Sequence, residues 1–175
     1  MDWYVVDKKY IAYLKKYDNK VGNVEYGDKL KLHIGILIEI GKIKYYVPVS
    51  SPKLKHYNMR NGLDFQKIVD PEEERLYAVI NINNMIPVPD QCVTQLKYDK
   101  VQEFRTFENE KSKTDYIYLL QKEKSIIDEI DEAIRKKANK LYRKVSKYPE
   151  SSLAKRCCDF KLLQEKSLEY NETNR

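Results

Sequence analysis

Between Val47 and Asn58 the chain reads VPVSSPKLKHYN. Two hydroxyls, Ser50 and Ser51, precede Pro52, and Lys53, Lys55 and His56 follow at once. A lysine ammonium and a serine hydroxyl are the groups that grip phosphate oxygens, one by charge and the other by hydrogen bonding. A lysine whose pKa is lowered by neighbouring cations can also act as an acid or a base. The residue types alone fit equally well a polar turn at the end of a strand.

The elements around this stretch say what could join it. WYVV reads as a short strand, and Asp7 is placed to cap a helix in which Ile11, Leu14 and Tyr17 share a face. From Leu30 to Ile40 apolar residues alternate strictly, which predicts one long strand. Gly41-Lys42 then suits a two-residue type II′ turn, and the returning strand alternates Ile43, Tyr45, Val47 and Val49. With that turn Ile40 faces Ile43, and Glu39 faces Lys44 as an opposite-charge pair. The same register carries His33 opposite Ser50 and Lys31 opposite Pro52, at the end of the hairpin away from the turn. Pro52 cannot donate to a ladder, so pairing is expected to fail there and to release Ser51 and Lys53. Lys31 thus joins the hydroxyls and lysines of the first stretch.

Further strands are expected at residues 75–83 and 92–98, with Pro87, Pro89 and Asp90 in the loop between them. From about Tyr98 the pattern turns helical. Leu120, Ile127, Ile134 and Leu141 recur every seven residues, joined by Ile130 and Val145, which predicts one long amphipathic helix packed on the sheet or on another helix. Its polar face changes sign along its length, from Glu123, Asp128, Glu129, Asp131 and Glu132 to Arg135, Lys136, Lys137, Lys140, Arg143, Lys144 and Lys147. That order suits the helix dipole and equally a phosphate-binding role. A last helix, FKLLQEKSLEY, closes the chain. A β-rich first half and a helical second half predict an α+β fold, read as one domain over residues 1–175.

The 175 residues carry a net charge of +6, which favours an anionic partner, nucleic acid being the commonest. The 15 tyrosines offer rings for stacking on unpaired bases, although core packing accounts for most tyrosines in any fold. Cys157 and Cys158 are adjacent and Cys92 stands apart, so neither a disulfide framework nor a metal quartet is indicated, and a reducing intracellular (cytoplasmic) setting is expected. The longest apolar run falls short of the roughly 20 residues that a membrane span needs. Two histidines without HExxH or CxxC give no metal site, and GxSxG, Walker and dinucleotide fingerprints are missing. Any catalysis is therefore expected to need no cofactor.

RNA can be cut without a cofactor because it carries its own nucleophile. The 2′-hydroxyl attacks the adjacent phosphorus, leaving a 2′,3′-cyclic phosphate and a free 5′-hydroxyl. The protein has to align the two oxygens, stabilise the extra negative charge and move protons. The competing reading is a non-catalytic RNA- or DNA-binding protein that uses the same basic groove.

The segments YIAYLKKYDNKV, HIGILIEI, KYYVPVSSPK, INNMIPVP and CCDFKLLQEK occur in that order and together resemble the ToxN/AbiQ family. These are endoribonuclease toxins of type III toxin–antitoxin and phage abortive-infection systems. The resemblance covers nearly the whole chain and is weakest between Tyr98 and Ser146. It implies a compact, strongly bent antiparallel β-sheet or barrel of the Kid/MazF kind, elaborated with helices. It also implies metal-independent cleavage at adenine-rich sites, and a repeated pseudoknot RNA that the toxin processes and that inhibits it in an RNA-bridged closed assembly. The family's catalytic loop carries over to Ser50, Ser51 and Lys53, with Ser50 standing where known members have threonine. The lysine opening the long strand maps to Lys31, and the tyrosine of the first helix, expected to position a base, maps to Tyr10. Lys8, Lys9, Lys29 and Lys55 are expected to meet RNA phosphates, with His33 and His56 as further candidates.

Overall fold

The computed structural model describes residues 1–22, 25–26 and 29–173, with side chains for all of these except 25–26, 29–30 and 171–173. Strand β1 (Asp2–Val6) leads into α1 (Lys8–Lys15), whose first turn is closed by the Asp7 carboxylate accepting the Tyr10 amide at 3.0 Å. Tyr10, Ile11 and Leu14 form the buried face of α1, whereas Tyr17 lies beyond the helix and is 42% exposed. The expected Ile11–Leu14–Tyr17 stripe is therefore wrong at its last member. A two-residue pair, β2 (Glu25–Tyr26) with β3 (Lys29–Leu30), precedes the central hairpin of β4 (His33–Ile40) and β5 (Ile43–Ser50).

The hairpin turn is as expected. Gly41 has φ +62° and Lys42 does not share the positive sign, and Ile40 faces Ile43 with Glu39 opposite Lys44. Beyond Ile38 the register differs. Ile38 faces Tyr45, but Ile34 faces Val47 and His33 faces Pro48, so β4 holds two more residues than β5 across this interval. Ile36 turns partly outward and Leu37 becomes fully buried within the bulge. Lys31 and Leu32 lie ahead of β4, yet pairing persists through the Val49 amide, which donates to the Leu32 carbonyl at 3.0 Å. The expected pairs His33–Ser50 and Lys31–Pro52 are thus replaced by His33–Pro48 and a Lys31 that stands across from Ser50. Because the slip is even, His33 keeps the face it was expected to occupy.

After β5 come a short helix, α2 (Leu54–Asn58), and the strands β6 (Gln66–Val69), β7 (Leu76–Ile80), β8 (Ile86–Pro87) and β9 (Val93–Gln95). β7 and β9 are shorter than the strands expected at 75–83 and 92–98, because the chain breaks into 3₁₀ turns at Ile82–Asn84, Asp90–Cys92 and Tyr98–Glu103. β6 was not expected, and β8 takes Pro87 out of the expected loop. The seven-stranded antiparallel sheet runs β6-β7-β5-β4-β1-β9, with β8 also on β5, and among the described residues no ladder joins β6 to β9. The α+β expectation holds, as a sheet left open between its edge strands.

The expected single long helix is two, α3 (Glu110–Glu129) and α4 (Asp131–Lys147), separated at Ile130 (φ −110°, ψ 10°). Ile134, Ala138, Leu141 and Val145 bury one stripe of α4, which packs on β4. Trp3 ties β1 to α3 by donating its indole N–H to the Leu120 carbonyl at 3.1 Å. The remaining helices are α5 (Ser152–Lys155) and α6 (Phe160–Thr173). Tyr45 spans the core to α6, donating to the Phe160 carbonyl at 3.1 Å. One apolar cluster runs from Trp3 to Leu163 and so joins the β-rich half to the helical half. No helix among the described residues is long and apolar enough to cross a membrane.

Candidate active site

Ser50 is the last residue of β5, beside β7, where it faces Val79. Its side chain meets Lys31 arriving from the segment before β4: the Lys31 ammonium donates to Ser50 Oγ. Asn81, just past β7, also donates to Ser50 Oγ from Nδ2, at 3.2 Å. Two donors on one hydroxyl oxygen occupy its lone pairs and leave the Ser50 proton to point at an external acceptor. The same arrangement orients the Lys31 side chain toward the loop.

Lys31 is half-buried, and burial, reinforced by the nearby positive charge of Lys53, lowers its pKa to about 8. The larger cause is desolvation rather than the crowding of cations. Lys53 itself is exposed and begins α2 from an extended conformation (φ −117°, ψ 160°). Ser51 is exposed on the loop between these two residues. The structure thus brings Lys31, Ser50 and Lys53 within each other's field, with Ser51 beside them.

Lys31 and Ser50 line a cleft of about 280 Å³ whose other walls include Lys15, Lys20, Asn81 and Asn84. The asparagine-rich turn after β7 fixes this wall. Asn84 Nδ2 donates to the Lys20 carbonyl at 2.6 Å, and the Asn83 carbonyl accepts the Cys158 amide at 2.8 Å. Asp18, 7% exposed, ties the end of α1 to the start of α6 by accepting the amides of Lys20 (2.9 Å) and Asp159 (2.7 Å). Lys15, Lys20, Asn81 and Asn84 were not singled out in the sequence. The clustered asparagines of NINNM, following a strand, were the available signal.

The other expected residues are distributed differently. Tyr10 is fully buried and donates its hydroxyl to the Pro87 carbonyl at 2.6 Å, with Tyr170 packed edge-on at 5.0 Å. Burial holds its phenol far above the usual range, so it stays uncharged. It braces α1 against β8 and α6 and offers no ring to a base. His33 is 4% exposed and lies between Tyr4 on β1 and Pro48 on β5. Burial, with Lys31 adding to it, lowers its pKa to about 3, and its Nδ1 has no hydrogen-bond partner. A neutral, enclosed imidazole makes no phosphate contact from there. His56, 5% exposed, accepts the Lys53 amide on Nδ1 at 3.0 Å and packs on Phe65. It therefore shapes the loop that carries Lys53 rather than facing solvent. Lys8 and Lys9 are exposed at the opposite end of α1 from Lys15, and Lys55 is exposed on α2. The Lys29 side chain lies outside the described residues. Among the described residues no three His, Cys, Asp or Glu side chains converge as a metal site requires.

Glu123 is the charged residue whose place differs most from its expected one. It was assigned to the polar face of a helix, yet it sits three residues after Leu120 and four before Ile127, inside the buried stripe of α3. It is 7% exposed, and burial pushes its carboxyl up to about 8.

Comparison with known proteins places the chain in a lineage. The chain is 30% identical to the endoribonuclease ToxN of Pectobacterium atrosepticum over 179 residues, covering 98% of this chain and 95% of that protein. It is 28% identical to the endoribonuclease AbiQ of Lactococcus lactis subsp. lactis over 179 residues, covering 97% and 89% respectively. A solved structure described by the words "selective toxin inhibition by a non-coding RNA pseudoknot" superposes with a TM-score of 0.82, at 25% identity and 98% coverage of both chains. Residues 2–168 match the family model described as "Toxin ToxN, type III toxin-antitoxin system". The chain belongs to the ToxN toxin family of type III toxin–antitoxin systems.

Proposed function

We propose that the chain, working as one catalytic domain over residues 1–175, is an endoribonuclease toxin that cuts RNA by attack of the 2′-hydroxyl on the adjacent phosphorus. The observation that carries this reading is the half-buried Lys31, with its pKa lowered to about 8, donating to Ser50 Oγ beside Lys53. At neutral pH a lysine of that pKa has an uncharged fraction able to accept the 2′-hydroxyl proton. Lys53, exposed at the loop end, holds a non-bridging phosphate oxygen, and the outward proton of Ser50 donates to the same phosphate. Ser51 contacts the phosphate or the 2′-oxygen from the loop.

Base stacking falls to Tyr57 rather than Tyr10. Tyr57 is 56% exposed on α2, four residues after Lys53, and its neighbour Leu54 is 89% exposed. Together they present a ring and an aliphatic surface beside Lys53 on which an unpaired base can stack.

The substrates are RNAs cut at adenine-rich sites, in the cytoplasm. The inhibitor is a repeated pseudoknot RNA, processed by the toxin and retained over the same cleft in an RNA-bridged closed assembly. The relative described as inhibited by a non-coding RNA pseudoknot supports this partner. Lys8, Lys9, Lys29 and Lys55 meet its phosphates, together with Lys15 and Lys20 on the cleft wall.

Incubation of the purified protein with mixed RNA in chelator, followed by mapping of chain ends, tests the reading. Defined 2′,3′-cyclic phosphate and 5′-hydroxyl ends are expected. Retention of RNA with no new ends would replace the enzyme by a non-catalytic binding protein.

A further inference from the structure

The Ser50–Ser51 loop has a second side. Besides the Lys31 cleft there is a pocket of about 80 Å³, and Ser50 lines both. Ser51, which is exposed, forms its rim, while Trp3, Arg105, Tyr116 and Glu123 form its walls. Glu123 has no hydrogen-bond or ion-pair partner among the described residues. Buried carboxyl groups are ordinarily paired or hydrogen-bonded, and this one is neither.

The charged and titratable groups facing Glu123 are few. Arg105 comes from the segment before α3 and Tyr116 from α3 itself, and the strand side contributes only the two serines and apolar residues. Arg105 is engaged elsewhere, its guanidinium lying 4.2 Å from the centre of the Tyr116 ring and 5.4 Å from that of Phe107. Desolvation is the one cause acting on the Glu123 carboxyl, and it holds the group protonated at neutral pH.

We propose that Glu123 is the proton donor to the leaving 5′-oxygen, acting across the Ser50–Ser51 loop from Lys31. The proposal rests on the endoribonuclease reading and adds to it the acid that the cationic cleft lacks. As the 2′-oxygen–phosphorus bond forms, the 2′-hydroxyl proton passes to the uncharged Lys31 amine. As the phosphorus–5′-oxygen bond breaks, its electron pair goes to the 5′-oxygen, which takes the proton of the Glu123 carboxyl. After product leaves, the Glu123 carboxylate regains a proton from water and the Lys31 ammonium returns one. A carboxylic acid and an amine, both brought toward neutrality by burial, suit the acid and base roles respectively.

The test is Glu123→Gln, which keeps shape and hydrogen-bonding capacity but has no proton to release. Two oligonucleotides carrying the mapped cleavage site are compared, one with the natural 5′-oxygen and one with a bridging 5′-sulfur, which leaves as thiolate without protonation. The variant is expected to cut the oxygen linkage about 100-fold more slowly, within the usual range for general acid catalysis. It should cut the sulfur linkage at the parent rate and lose the alkaline limb of the pH–rate profile. An unchanged rate on the oxygen linkage, or equal losses on both linkages, would overturn the assignment. A parent protein that cuts neither linkage sinks the endoribonuclease reading itself, and Glu123's role with it.

Discussion

Two regions of this molecule are rich in positive charge, and they differ in what surrounds the charge. On α4, Arg135 and Lys136 pair with Asp131 and Glu132 one turn earlier, and Lys140, Arg143 and Lys144 stand exposed. Around Ser50, Lys31 is half-buried beside Lys53 and its pKa falls to about 8. The α4 face has more cations in a row, yet these stand in water or beside a carboxylate, whereas Lys31 is drawn out of water. Desolvation, not charge density, turns a lysine into a group that exchanges protons. A patch of the first kind attracts and holds a polyanion; a site of the second kind can take part in bond-breaking.

The sharpest way to break this contrast is to remove one lysine from the site and two from α4. Lys31→Ala is expected to reduce cleavage by roughly 10²–10³-fold, the cost of losing one preorganised contact to developing charge. Lys140→Ala with Lys144→Ala should leave the cleavage step within about threefold of the parent, since each is an exposed cation. Rates of RNA cleavage at saturating substrate decide it, and comparable losses in the two regions would erase the distinction. Lys31→Arg keeps the charge without the proton exchange and should lose nearly as much as Lys31→Ala.

Stability gives the next largest effect and bears on the acid side of the site. The Glu123 carboxyl is raised to about 8 in the folded chain, against an ordinary value of 4.5. Between those values the unfolded chain has released the proton and the folded chain has not, so stability falls as pH rises through that window. Glu123→Gln should therefore stabilise the protein by about 2–3 kcal/mol at pH 7 and by almost nothing below pH 4.5. Urea unfolding at pH 4 and pH 7 measures it. A variant that is more stable but slower would mark Glu123 as a group kept for chemistry.

Smaller effects sharpen the picture. The cleavage rate should rise with pH up to about 8, as Lys31 loses its proton. Lys53→Ala removes the lesser of the two causes of the lowered pKa, so this rising limb should move upward by less than a pH unit while burial persists. Least of all, Lys140→Ala and Lys144→Ala should each shallow the salt dependence of RNA binding by at most about one counterion, without changing where RNA is cut.

The parts of the fold that were legible in the sequence were those fixed by neighbours. Gly41 announced the turn, and the Glu39–Lys44 pair fixed the register next to it. Asp7 announced the start of α1. The bulge in β4 was hidden because Ile34, Ile36, Leu37 and Ile38 are all apolar, so a slip of two leaves the binary pattern nearly unchanged. The same composition concealed the break at Ile130, which interrupts the backbone without interrupting the seven-residue repeat. At the site, Ser50, Ser51, Lys31 and Lys53 could be gathered because the hairpin and Pro52 constrain them. Tyr10 and His33 could not be placed, since a tyrosine or histidine serves a core and a surface equally well. Glu123 was misplaced for the opposite reason, its charge outweighing a spacing that put it with Leu120 and Ile127.

The bulge in β4 has one more consequence, for how this chain tolerates changes of length. The ring of Tyr46 covers Gly35 so closely that a Cβ there would lie 2.2 Å from it, which keeps any side chain out. Deleting one residue between Ile34 and Ile38 and closing the ladder would turn every side chain from Ile34 back to Lys31 to the other face. Deleting two would restore an unbroken ladder and a tidier hairpin. Lys31 would still stand opposite Ser50, whereas flattening the bulge with every residue kept would slide Lys31 along β5 by about 6–7 Å, past Ser50 and onto Pro52. The loop chemistry is thus set by two residues stored in a neighbouring strand, and a regular hairpin of unchanged length would be a well-folded protein with its lysine in the wrong place.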